Sequence, residues 1–331
     1  MADFNAHGTQ EDKAPPQQAS APFDNPHADL IIRTSDLVEF HVFTVILREA
    51  SPIFADMVSL PQPDAESRTA SAGTVEVAED SVVWDLLLRI CYTCEFSIPG
   101  EHMWPLLEVA KKYDMIGVRD IARRRLLDAA LILQDNLRSY LLACHYGFSE
   151  IAHIAARNSL SHPASDDQFI PELRCVTSAT YFRWVQYRRE CVKAATSFAQ
   201  NHNIFYHHSA WMDRVSGWGF TQQNCRVCRP SAPKYITNSI HDVRRALHDF
   251  MAQTEAALRD RPHGDTVRDY NLVAALTQDA CKCTTCGSFS GRNLTRFVEF
   301  YATQVDEAVD KVCCRDLSSF RLVSSESCFP G

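Results

Sequence analysis

Residues 28–63, ADLIIRTSDLVEFHVFTVILREASPIFADMVSLPQP, constrain the fold more than any other stretch of the chain. Asp29-Leu30-Ile31-Ile32 is a short apolar strand led by an acid, and a turn follows at Thr34-Ser35-Asp36. Val38, Phe40 and Val42 then alternate with Glu39 and His41, the period-two pattern of a half-buried strand. A helical run from Val45 to Ala50 stops at Ser51-Pro52. There Ser51 can cap a second helix, and Pro52 suits its first position. Ile53, Phe54 and Met57 continue that helix on one apolar face. The order is therefore hairpin, helix, Ser-Pro corner, helix with a buried Phe.

Further motifs extend the pattern. Gly73-Thr74-Val75-Glu76-Val77 reads as a later strand of the same sheet. Asp80 or Ser81 can cap a helix that carries Val83, Leu86, Leu87, Ile90 and Cys91. Leu106 to Met115 form another helix, containing Ala110-Lys111-Lys112-Tyr113-Asp114-Met115. With these elements in place, residues 28–130 resemble a BTB/POZ domain. Leu86 to Thr93 is close to the LLLRxCYT pattern of filamentous-fungal (basidiomycete-like) members, and Leu106–Met115 looks like the AxKYxM helix near the end of the core.

The resemblance implies an α+β domain, a small sheet flanked by helices, with Leu30, Ile32, Phe40, Phe54 and Leu87 in its core. It also implies a protein–protein interaction module without catalysis, self-associating as a homodimer. Some family members are substrate adaptors of cullin-type ubiquitin ligases and others are transcriptional regulators, so a cullin scaffold is an alternative partner. Adaptor function would draw support from a hydrophobic-x-Glu element after the second helix, where the nearest stretch is Pro63-Asp64-Ala65-Glu66-Ser67. Many members carry a His-Lys or His-Arg pair near the partner and dimer surface; Phe43-Thr44 stand there in this chain.

A length of 331 residues allows about two domains. A hydrophobic content of 46% supports a sizeable core. The net charge of −8 argues against a dominant phosphate-binding role and so against nucleic acid as partner. A basic run at Arg119–Arg125 reads as the solvated face of a helix whose other face holds Val118, Ile121, Leu126 and Leu127. No apolar run approaches the ~20 residues of a membrane span, and MADFNAHGTQEDK lacks the character of a secretory signal. The expected compartment is cytoplasm or nucleus, where 13 cysteines are thiols or metal ligands before they are disulfides.

The domain plan read from the sequence is a disordered polar tail at 1–25, the BTB/POZ-like block at 26–130, a helical extension at 131–165 and a helical C-terminal region at 166–331. The extension holds a helical pair, Asn136–Cys144 and Gly147–Leu160. Glu172 to about His202 reads as one long helix, about 45 Å if unbroken. Its buried stripe contains Tyr181, Trp184, Val185, Arg188, Cys191, Val192 and Ala195. Helices are expected again at 236–261, 266–278 and 289–312, the last burying Leu294, Phe297, Val298, Tyr301, Val305 and Ala308.

Two CxxC pairs carry the chemistry: Cys225 with Cys228, and Cys283 with Cys286. Four thiolates held in pairs by tight turns suit one tetrahedral zinc, so the C-terminal region is expected to hold a structural Zn²⁺ staple with no open coordination position. Cys281 is a spare, available as an extra ligand. Ordinary buried thiols are the simpler alternative. Redox chemistry fits less well, because neither pair follows a strand. A Cys-based enzyme is the remote alternative, with His202, His207 or His208 as base toward Cys225; the same histidines could complete a metal site, and a polar loop between helices is the preferred explanation for them. No Gly-rich phosphate loop, GxSxG or HExxH string is present.

Overall fold

The computed structural model describes residues 15–59, 73–131, 135–163, 169–200, 245–281 and 291–316. They divide between Asp128 and Ala129 into two compact units.

The N-terminal unit is built on a hairpin. Strand β2 (Leu30–Arg33) pairs antiparallel with β3 (Val38–Val42), setting Leu30 opposite Val42 and Ile32 opposite Phe40. All four of these side chains are buried on one face, as a period of two requires. β4 (Gly73–Glu76) adds to β2 in parallel and β1 (Gln17–Gln18) to the far side of β3, giving the order β1-β3-β2-β4. On the opposite face Arg33 bonds Glu39 and Glu76, its partners in the two neighbouring strands. These partly exposed ion pairs favour the register more than they add stability.

Helices α1 (Thr44–Ala50), α2 (Pro52–Ser59), α3 (Ser81–Cys91), α4 (Met103–Lys112) and α5 (Ile116–Leu131) complete the unit, α5 running across the division. Capping follows the local sequence. Ser51 Oγ accepts from Phe54 N at 3.1 Å, and Asp80 Oδ1 accepts from Val83 N at 2.9 Å. Phe54, on α2, is fully buried, its ring 5.0 Å from Tyr113 and 6.0 Å from Trp84. Leu30, Ile32, Phe40 and Leu87 are buried in the same unit.

The polar N-terminal segment is a correction to the sequence reading. The composition predicts a disordered tail over 1–25, but within the described residues 15–25 the chain pairs with the sheet at Gln17–Gln18 and at Asp24. Gln17–Gln18 form β1, parallel to β3, and Asp24 bridges His41. The anchor is Phe23, fully buried with its ring 5.8 Å from Phe40 and 5.4 Å from Tyr92. One aromatic buries enough apolar surface to hold a segment that average composition marks as unstructured.

The described part of the C-terminal unit is helical. α6 (Asn136–Tyr146) packs along α7 (Ser149–Ser159) across a tight turn at Gly147, whose φ of 78° lets Phe148 N reach Ala143 O. The long helix expected from Glu172 is shorter and starts later. Pro171–Arg174 form a single 3-10 turn, and α8 covers Ser178–Gln200, 23 residues or about 35 Å. The break is at Cys175–Thr177, where Thr177 O takes the Thr180 amide and starts the new helix. Trp184, Tyr187, Arg188, Cys191 and Ala195 are buried along α8, while Tyr181 in its first turn is exposed.

α8 packs on α9 (Arg245–Asp260) and α12 (Gly291–Asp316). The expected helix at 266–278 is two: a single turn α10 (Gly264–Val267), then α11 (Tyr270–Cys281). The split has a local cause. Asp269 Oδ1 accepts from Asn271 N and restarts the helix, while Gly264 N is tied to Asp306 Oδ1 at 2.9 Å. On α12, Leu294, Phe297, Val298, Tyr301 and Val305 form the buried stripe.

Candidate interaction surface

Two corners of the N-terminal unit are joined by one hydroxyl. Ser51, fully buried at the α1–α2 corner, donates to Tyr113 O at 2.6 Å, and Tyr113 ends α4. The next residue, Asp114, has φ 51°, a left-handed conformation that Asp tolerates better than most residues. Met115 N then bonds Ala110 O and turns the chain into α5. A groove of about 300 Å³ lies along these corners and the last turn of α3. Its lining includes Ile90, Cys91, Val118 and Ile121, together with the exposed Pro52, Ile116, Gly117, Glu49 and Asp114. Burial pushes the Cys91 thiol up to about 11, so it is a neutral lining group rather than a nucleophile.

The positions Phe43 and Thr44 serve a backbone role here. Phe43 N donates to Tyr92 Oη at 2.8 Å, and Thr44 N donates to Asp29 Oδ1 at 2.7 Å. Asp29 therefore satisfies an amide at the start of α1. The strand reading of Asp29 missed this role, since the two residues meet only after the hairpin closes.

Two carboxylates hold α3 against the hairpin and α4. Asp36 accepts from Ser81 N, Ser81 Oγ and Thr34 Oγ1. Glu79 accepts from Lys112 Nζ at 2.6 Å and from Trp84 Nε1 at 3.3 Å. Partial burial pushes both carboxyls up, but these hydrogen bonds outweigh it and hold each below its ordinary value. The unfolded chain then takes up protons before the native state does. The stabilisation is complete above the ordinary carboxylate range near pH 4 and is lost as pH falls through the lower folded values. Thermal melting from about pH 6 to about pH 3 should show this loss. The Asp36→Asn/Glu79→Gln variant should start less stable and decline less steeply.

The cysteines singled out in the sequence are not brought together by anything described. Cys225, Cys228, Cys283 and Cys286 lie outside the described residues, as do His202, His207, His208 and Pro63–Ser67. Cys281 is the last residue of α11, so Cys283 and Cys286 fall between α11 and α12. Among the described residues no group of three or more His, Cys, Asp or Glu could hold a metal ion. None of the described helices is long and apolar enough to cross a membrane. The groove escaped the sequence reading because its lining comes from three separated segments. Ile90 and Cys91 were visible there only as part of an apolar helix face.

Comparison with known proteins agrees with the architecture of the first unit. Residues 22–129 match the BTB/POZ domain, a protein-interaction family. The match begins beside the buried Phe23 and ends at the division between the two units. No curated protein matches the chain.

Proposed function

We propose that this chain is a protein–protein interaction module whose BTB/POZ domain, residues 22–129, associates with a second copy and presents partner-binding surface. The observation that carries the reading is the family match, on a small sheet covered by helices. Apolar side chains left in water add support: Val45 on α1 is 62% exposed and Ile116 on α5 is 56% exposed. Sedimentation velocity of the full chain across a concentration series tests self-association. A species of twice the chain mass should grow with concentration. A strictly monomeric chain at the highest concentration would remove self-association from the reading.

The paired cysteines form a separate proposal for the C-terminal region. The donor set, four thiols in two CxxC pairs at Cys225, Cys228, Cys283 and Cys286, suits a structural Zn²⁺. When bound, the metal would supply folding energy rather than chemistry. Purified protein should carry about one zinc per chain by elemental analysis. Cys283→Ser should lower that content and the melting temperature together. Metal-free protein with unchanged stability would return these residues to ordinary thiols.

A further inference from the structure

We propose that the outward face of α8, near its start, docks an acidic segment of a partner protein that carries an apolar anchor. This surface belongs to the C-terminal unit, outside the residues that match the BTB/POZ family, and does not rest on the reading given for that domain.

α8 presents two faces. Trp184, Tyr187, Arg188 and Cys191 are buried, where the helix packs into its unit. Phe182 is 59% exposed, and Tyr181 beside it is 39% exposed. Val185, half-buried, and Arg189, exposed, follow Phe182 at three and seven residues, so these side chains form one stripe along the helix. From Phe182 to Arg189 the stripe runs about 10 Å along the axis. Aromatic rings left in water contribute little to holding α8 in place, and two side by side mark a contact surface.

The charge around these rings has one sign. Between residues 169 and 189 every exposed charged side chain is an arginine: Arg174, Arg183 and Arg189. The only acid in that stretch, Glu172, is buried and accepts from Arg138 Nε at 2.7 Å. Arg174 stands over the ring of Phe169, which is 66% exposed, so the turn before α8 also joins a cation to an open aromatic ring. Arg189 has no ion-pair partner among the described residues; Glu190 next to it pairs with Lys193. Arginine and aromatic residues are concentrated at protein interfaces, and lysine, depleted there, is absent from 169–189.

Charge complementarity selects the occupant. A carboxylate answers Arg189 and an apolar side chain answers Phe182; in an extended segment the two stand about three residues apart. A second copy fits less well, since a twofold contact of this face with itself sets arginine against arginine. A nucleic acid also fits less well, because a chain of net charge −8 repels a polyphosphate.

The experiment is selection of a random-peptide phage library on the full chain, with enriched peptides synthesised and their binding measured by fluorescence anisotropy. Enriched sequences should combine Asp or Glu with an apolar residue about three positions away. Phe182→Ala should weaken them by about tenfold or more, and Arg189→Gln should weaken them less and flatten their salt dependence. Both side chains are exposed, so the two variants should melt with the parent. No enrichment, basic enrichment, or binding indifferent to both variants overturns the proposal. A labelled thymidylate oligonucleotide is run beside the peptides. Its binding, if removed by Phe182→Ala and unaccompanied by acidic enrichment, assigns the face to nucleic acid. Loss of self-association in sedimentation of Phe182→Ala, again without acidic enrichment, assigns the face to a second copy. Either result overturns an acidic partner.

Discussion

Phe54→Ala should lower the unfolding free energy of the N-terminal unit by roughly 3–5 kcal/mol, among the largest single-residue effects available in it. The ring is fully buried, and Trp84 and Tyr113 stand against it at 6.0 and 5.0 Å. Those two rings also touch each other, centroids 5.6 Å apart, so removing Phe54 empties one corner of a three-ring cluster. The loss combines the transfer term of the ring with the cavity left behind, and rigid aromatic neighbours fill such a cavity poorly. The consequence also reaches the groove. Phe54 N is the amide capped by Ser51, and Ser51 holds the α1–α2 corner to Tyr113. Urea unfolding monitored by circular dichroism gives the measurement. Phe54→Leu should cost less, since it keeps much of the apolar volume. A Phe54→Ala protein within about 0.5 kcal/mol of the parent would mean that the cluster is not a core.

Arg188→Met should destabilise the C-terminal unit by a comparable amount, roughly 3–5 kcal/mol by analogy with other broken buried charge contacts. Arg188 lies on the buried face of α8 and is only 8% exposed. Its guanidinium donates to Ser159 O at 3.0 Å, to Asp260 O at 2.6 Å and to His162 O. Ser159 closes α7 and Asp260 closes α9, so one cation sits at the carbonyl ends of two helices. Those ends carry unsatisfied oxygens and the negative pole of each helix dipole. Methionine fills similar space but leaves the buried acceptors without donors. Lysine should recover only part of the loss, because an ammonium lacks the planar fork that reaches several acceptors at once. Thermal melts of the parent, Arg188→Met and Arg188→Lys proteins should rank in that order of decreasing and then partly restored stability. Equal melting of all three would show that water replaces the guanidinium without cost.

The early elements were legible in the sequence because each depends on neighbours in the chain. Alternation over Val38–Val42 needs only one face in water and one in the core, and β3 covers those same residues. Ser51-Pro52 and Asp80 are capping residues whose partners lie three residues away, and both bonds form. The helical stripe on α12 follows from its 3.6-residue period alone.

What the sequence left unreadable depends on residues far apart in the chain. Phe23 looked like one aromatic in a polar tail until Phe40 and Tyr92 came to meet it. Arg188 read as one more member of a helical stripe, and its three acceptors lie 26 to 72 positions away. Glu49 and Asp114 are far apart in the chain, and only folding brings them into the lining of one groove. Local periodicity reports which face of an element is buried, but not which element covers it. A site lined by three segments exists only once the tertiary structure has paired those faces, so its charge and shape were decided there.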